Sequence, residues 1–237
     1  MCAQLAQIQA IPEVAVPPIS PPVAPPVSIQ TSETIQHVML HGVSWHTYES
    51  LLSEHNEKSG THFAYHKGTL EIMVLSPKHE SLKQTLSYVV DVLAEELDID
   101  IQDLGSTTFR REDLSSGFEP DSCFYIQSAA EIRGKSEIDL TVDPSPELII
   151  EIDLTSFSLD KFPIFAALGV QEVWRYDGES VLIYTLSGGE YVEQPSSTLL
   201  EPVTAAALTD FVASGQQLTR PQWLRQVRDW IQNRLEK

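Results

Sequence analysis

PELIIEIDLTSFSLDK, residues 146–161, decides how the chain is read. Its first half is an apolar run interrupted by carboxylates at Glu147, Glu151 and Asp153. Ile149, Ile150 and Ile152 around Glu151 are continuous enough for a central strand covered on both faces. Burying a carboxylate there is costly unless it is paired, hydrogen-bonded or bound to a metal. A lysine, Lys161, follows ten residues after Glu151, at the start of a helix expected over about 159–168. Pro163 is tolerable only in the first turn of that helix, and Gly169 stops it.

Working outward, THFAYHKGTLEIMVL (61–75) alternates around Lys67-Gly68 and predicts two antiparallel strands joined by a tight turn. SPKHESLKQTLSYVVDVLAEEL (76–97) predicts a long helix. Ser76 is its N-cap, Pro77 takes the first helical position, and Leu82, Leu86, Val89, Val90, Leu93 and Leu97 form one apolar stripe. A short helix is expected after Ser44, where Trp45, Tyr48, Leu51 and Leu52 recur at helical spacing. Strands are expected at 101–110, from Pro120 (PDSCFYI) and in VWRYDGESVLIYTL, which turns at Asp177-Gly178 and is extended by EYVEQ. RPQWLRQVRDWIQNRLEK reads as an amphipathic C-terminal helix. The fold class is therefore α/β, with a mixed sheet flanked by helices. Residues 1–37, dominated by PEVAVPPISPPVAPPV, read as a disordered proline-rich arm, 38–200 as the folded domain and 201–237 as a helical extension.

Fifteen basic residues against 34 acidic ones give a net charge of −19 over 237 residues. The mean field of such a chain repels nucleic acid and anionic membranes. Hydrophobic content of 42% suffices for a sizeable core, and no stretch is long and apolar enough to span a membrane. Two cysteines, Cys2 and Cys123, make no disulfide framework and point to a reducing, cytoplasmic compartment. The absence of GxxxxGK, GxGxxG and GxSxG stretches, and of paired histidine ligands in the folded region, argues against nucleotide cofactors, a serine hydrolase and zinc.

Three carboxylates stand where a rigid element would anchor them: Glu80 in the first turn of the long helix, Asp121 opening a strand, and Glu151. Singly, each has a bland reading as a cap or an edge residue, Glu151 least of all. Asp121 and Glu151 on neighbouring strands suit Mg²⁺, or Mn²⁺, which needs only one or two protein carboxylates. Lys161 would supply an ammonium to position water or to stabilise charge developing on phosphorus. Two acids and a lysine around a metal are the parts of phosphodiester hydrolysis. Asp153 shares the facing of Glu151 by strand alternation.

The order of a Trp-containing helix, a hairpin, His79-Glu80, Pro120-Asp121, PELIIEI with Glu151, Lys161 and GVQEVWRYD resembles the Uma-two family of the PD-(D/E)XK nuclease superfamily over about residues 43–186. The resemblance implies a restriction-endonuclease-like fold and an Mg²⁺-dependent endonuclease acting on DNA. It implies Asp121, Glu151 and Glu80 as metal ligands and Lys161 as the catalytic lysine. The departure is Asp153, which stands where the superfamily's ExK pattern has its lysine. Either Lys161 has taken over that role, or the chain is a catalytically impaired module that binds DNA or protein. Arg110, Arg111, Arg133, Lys135 and Lys161, with Arg220, Arg225, Arg228, Arg234 and Lys237, supply local basic strips for weak DNA binding. The tryptophans of the last helix are candidates for contact with a second copy, in a homodimer that cuts both strands.

Overall fold

The computed structural model describes residues 36–55, 60–154 and 158–236. The expected proline-rich arm lies outside the described residues as far as residue 35. Gln36 and His37, assigned to its end, instead open the first strand, β1 (Gln36–His41). Helix α1 (Trp45–Glu54) starts where Ser44 Oγ accepts from Thr47 N. Strands β2 (Thr61–His66) and β3 (Thr69–Val74) form the expected hairpin, with Lys67 and Gly68 both at positive φ (46° and 90°), as the turn requires. Helix α2 (Pro77–Leu97) is capped by Ser76 as predicted and ends at Asp98 in the left-handed conformation.

The stretch 101–110, expected as one strand, holds the whole of one strand and the start of another. They are β4 (Gln102–Gly105) and β5 (Phe109–Arg111), and they join different sheets. Gly105 sits at φ 56°, and its N–H donates to Asp103 Oδ1 at 2.8 Å, which turns the chain from one layer to the other. Strands β6 (Ser116–Phe118) and β7 (Ser122–Tyr125) and a short helix α3 (Ala129–Ile132) follow. Strand β8 (Leu148–Ile152) is buried throughout. Helix α4 (Phe162–Leu168) is expected, but Lys161 is its N-cap residue rather than part of its first turn. Strands β9 (Glu172–Tyr176), β10 (Val181–Ser187) and β11 (Glu190–Gln194) continue the meander, and helices α5 (Ala205–Gly215) and α6 (Arg220–Leu235) complete the described chain. Helix α5 was not read from the sequence.

The strands make a five-stranded sheet, β1-β3-β2-β6-β5, and a six-stranded sheet, β11-β10-β9-β8-β7-β4. In the larger sheet β8 pairs antiparallel with β7 and parallel with β9, so the sheet is mixed as expected. Period-two alternation then sorts β8. Leu148, Ile150 and Ile152 join the core formed with α2, α5 and α6, whereas Ile149 joins Ala64, Phe109, Phe118 and Val173 between the two sheets. Glu147, Glu151 and Asp153 share the facing of Ile149. Phe63 and Tyr65, on the opposite face of the small sheet, pack against Tyr48 of α1.

The C-terminal tryptophans are committed to this chain's own core. Trp223 is 2% exposed and donates from Nε1 to the Phe211 carbonyl at 2.8 Å, and Trp230 meets the Phe211 ring edge-on at 5.4 Å. Trp223 is buried in this chain's core and Trp230 is half-buried against it. No helix among the described residues is long and apolar enough to cross a membrane.

Candidate active site

The inner faces of the two sheets converge on one acidic cluster. The β7–β8 register pairs Ser122 with Ile150, so Asp121, one step before β7, stands beside Glu151. Asp121 is fully buried, and its Oδ2 accepts from the Ile152 backbone N–H at 2.6 Å. From α2, His79 brings Nε2 to 3.1 Å of the same oxygen, although the ring N–H is not aligned for a hydrogen bond. His62 of β2 approaches the other oxygen, Oδ1, to 3.7 Å. Burial works against the charged form of Asp121, yet the His79 contact and the charges of His79, Lys161 and His62 hold its carboxyl below the ordinary range. Burial also opposes a charged His79, but Asp121, Glu151 and Glu80 together raise it. For His62 burial prevails over Asp121, and its pKa falls to about 4.

Glu151 Oε2 accepts from Lys161 Nζ at 2.6 Å. The N-cap position of Lys161 returns its stem toward the end of β8, which closes the gap between strand end and helix start. Burial, resisted by the Lys161 ammonium and assisted by the charge of Asp121, pushes the Glu151 carboxyl up to about 7. Lys161 loses hydration too, but Glu151, Glu71 and Asp121 outweigh that loss and raise its pKa, so the ammonium stays charged. With Oδ2 and Oε2 engaged, Asp121 Oδ1 and Glu151 Oε1 remain buried without a hydrogen-bond partner.

The other expected residues are placed differently. Glu80 lies at the rim: its side chain is 45% exposed, its Oε2 pairs with Lys83 at 2.6 Å, and its Oε1 is 4.0 Å from His79 Nδ1. Asp153 turns to Arg175 of β9, the strand neighbour of Glu151, and also accepts from Ser158 Oγ at 3.3 Å. Its carboxylate is thus held by a cation of the next strand. The basic residues flanking the site strands are matched by acids: Arg110 by Glu49, Arg111 by Asp113, Arg133 by Asp100 and Lys135 by Asp143. On α6, Arg228 pairs with Glu95 and Glu96, and Arg220 lies 3.4 Å over the Tyr88 ring. Lys237 lies outside the described residues. The strip beside the site strands is therefore neutralised within the fold, whereas on α6 only Arg228 is ion-paired among the described residues, and Arg220, Arg225 and Arg234 are not.

Three residues in or beside this cluster were not singled out from the sequence: His62, Glu71 and Arg175. Glu71, 2% exposed, accepts from Leu159 N at 3.0 Å and lies 2.6 Å from His37 Nε2, which ties the segment before Lys161 to the small sheet. The signal was the alternation of β2 and β3, which puts His62 and Glu71 on the inner face where apolar residues would be expected. A cavity of about 380 Å³ opens beside the cluster, lined by Glu151 and Lys161 with Met73, Leu159, Phe162 and Arg175 among others.

A family model described as Uma2, "Putative restriction endonuclease", matches residues 45–220. The chain belongs to the Uma2 family. The resemblance drawn over about residues 43–186 is thereby borne out, and the match runs on to residue 220. Among solved structures, this Uma2 chain is similar to a crystal structure of "a putative nuclease belonging to DUF820" from Anabaena variabilis ATCC 29413. Identity is 17%, the TM-score is 0.47, and the match covers 69% of this chain and 97% of that one. No curated protein matches the chain.

Among the described residues no three His, Cys, Asp or Glu side chains converge to hold a metal by themselves. Zinc-type sites need such a set. A hard cation that takes one or two carboxylates and completes its shell with water or phosphate does not, and the two free oxygens on Asp121 and Glu151 fit that case.

Proposed function

We propose that this Uma2 protein is an Mg²⁺- or Mn²⁺-dependent endonuclease that hydrolyses DNA phosphodiester bonds at Asp121, Glu151 and Lys161. The observation that carries the reading is the pair of buried, unpartnered oxygens, Asp121 Oδ1 and Glu151 Oε1, beside a charged ammonium. Buried polar atoms are nearly always hydrogen-bonded, and these two oxygens are joined by His62 Nδ1, both ring nitrogens of His79 and Glu80 Oε1, so the cluster as a whole calls for an explanation. Asp121 and Glu151 would hold the ion, while Glu80, paired with Lys83 at the rim, stands outside that pair. A bound divalent ion supplies Lewis acidity and lowers the pKa of water at the site. Ile152 N fixes the Asp121 carboxylate so that Oδ1 faces the site, and His79 and His62 restrict its rotation. Lys161 fixes Glu151 in the same way and places a positive charge where negative charge grows on the phosphoryl oxygens. Lys161 thus takes the part that the ExK lysine, replaced by Asp153, would have played.

We infer a cytoplasmic protein from its cysteine usage. The neutralised strip beside the site strands favours a second reading, an impaired module that keeps the fold and binds without cleaving. Plasmid DNA and single-stranded DNA incubated with the protein separate the two: cleavage of at least one with Mg²⁺ or Mn²⁺, and of neither in EDTA, is expected. Equal activity in EDTA would remove the metal from the mechanism, and no cleavage with either ion and any DNA form would leave the binding module.

A further inference from the structure

Resting on the nuclease reading, we propose that the substrate is unpaired DNA, one nucleotide of which enters the cavity beside Glu151 and Lys161. The first argument is access. Asp121 is fully buried and Glu151 only 8% exposed, at the edge of a cavity of about 380 Å³. That volume belongs to the range of small-molecule pockets, about 300–1,000 Å³. It admits a nucleotide and not a double helix, whose stacked and paired strand would have to surrender a nucleotide before its phosphate reached these oxygens.

The second argument is the lining. Met73, Leu159 and Phe162 offer an apolar and aromatic wall, while Lys161 and Arg175 bring their donors to the same space, paired there with Glu151 and Asp153 and with Asp160 as a third carboxylate of the lining. Stacking of a base on an aromatic wall is one of the two ways in which single strands are held without base pairing. Arg175 keeps donors to spare, since Asp153 engages only part of a guanidinium with five N–H groups. The third argument is the exterior. Long duplexes are gripped by rows of free Lys and Arg that replace counterions along the backbone. Here Arg110, Arg111, Arg133 and Lys135 are each paired with an acid, on a chain of net charge −19. The strands that flank the cleft thus present no such row to a duplex laid across them.

The test is fluorescence anisotropy on the full chain in EDTA, with a labelled short oligothymidylate and a labelled hairpin duplex of the same sequence length. The single strand should bind at least about tenfold tighter, a difference of about 1.4 kcal/mol. Arg175→Ala should weaken single-strand binding by a similar factor and leave duplex binding unchanged, with Arg175→Gln as the companion variant should the first fail to fold. Duplex binding as tight as single-strand binding, or binding of neither, overturns the inference. The same two DNAs are then assayed for cleavage with Mn²⁺. Preferential single-strand binding with no cleavage of either would defeat the nuclease reading while this inference stands.

Discussion

Lys161 Nζ sits 2.6 Å from Glu151 Oε2, although the two residues are ten positions apart and belong to different elements. The strand fixes the carboxylate and the N-cap geometry of α4 fixes the ammonium. Each would be costly to bury without the other. The contact also leaves Glu151 Oε1 free, so the lysine both neutralises and orients its partner.

Lys161→Ala should lower DNA cleavage by about 10²-fold or more, the scale seen when a preorganised charge-stabilising group is removed. Glu151→Gln should abolish Mn²⁺ binding in calorimetry, whereas Lys161→Ala should preserve it. Parent-like cleavage by Lys161→Ala would show that the lysine is only the counter-ion of a buried acid.

The raised pKa of Glu151 sets a pH window in metal-free buffer. An unfolded carboxyl titrates at 4.5, whereas the folded one titrates at about 7, so between these values the folded state holds a proton that the unfolded state has released. Glu151 therefore costs stability progressively as pH rises from about 4.5 to about 7 and fully above that. His62, lowered from 6.5 to about 4, acts in the opposite sense over an overlapping range. Denaturation of parent and Glu151→Gln in EDTA isolates the first effect: the variant should gain stability relative to the parent across the window. A difference that does not change with pH would contradict it.

Asp153→Ala should leave Mn²⁺ affinity unchanged, because this carboxylate is engaged by Arg175 and Ser158 rather than turned to the two free oxygens. Its effect should fall on KM, through an Arg175 that has lost its anchor. Loss of metal binding in calorimetry would make Asp153 a ligand instead.

Glu172 predicts a purely structural defect. It is fully buried and accepts from Trp174 Nε1 at 2.7 Å, Ser197 Oγ at 2.6 Å, and Thr198 N and Oγ1 at 2.7 and 2.9 Å. Glu172→Ala would strand these donors and should cost about 3 kcal/mol or more. Urea denaturation would measure it, and a loss under about 1 kcal/mol, typical of an unexceptional site, would show that water or neighbours replace the carboxylate.

The sequence by itself determined the elements whose causes are local. Ser76 and Pro77 start α2, Lys67-Gly68 turns the hairpin, and the isoleucines around Glu151 make β8 a covered strand. Each signal lies within a few residues of its effect. It also carried the resemblance to the Uma2 family, which the match over residues 45–220 bears out. Tertiary structure alone decided what the charged residues meet. That Arg133 would be taken by Asp100, and Arg228 by Glu96 from 132 residues away, has no trace in local periodicity, and such pairs removed the strip beside the site strands and interrupted the one on α6. That 101–110 would split between two sheets depended on which edge each strand found. His62 and Glu71 became part of the site surroundings only when the small sheet laid its inner face over β7 and β8. Alternation tells which residues share a face, but only packing says what that face will touch.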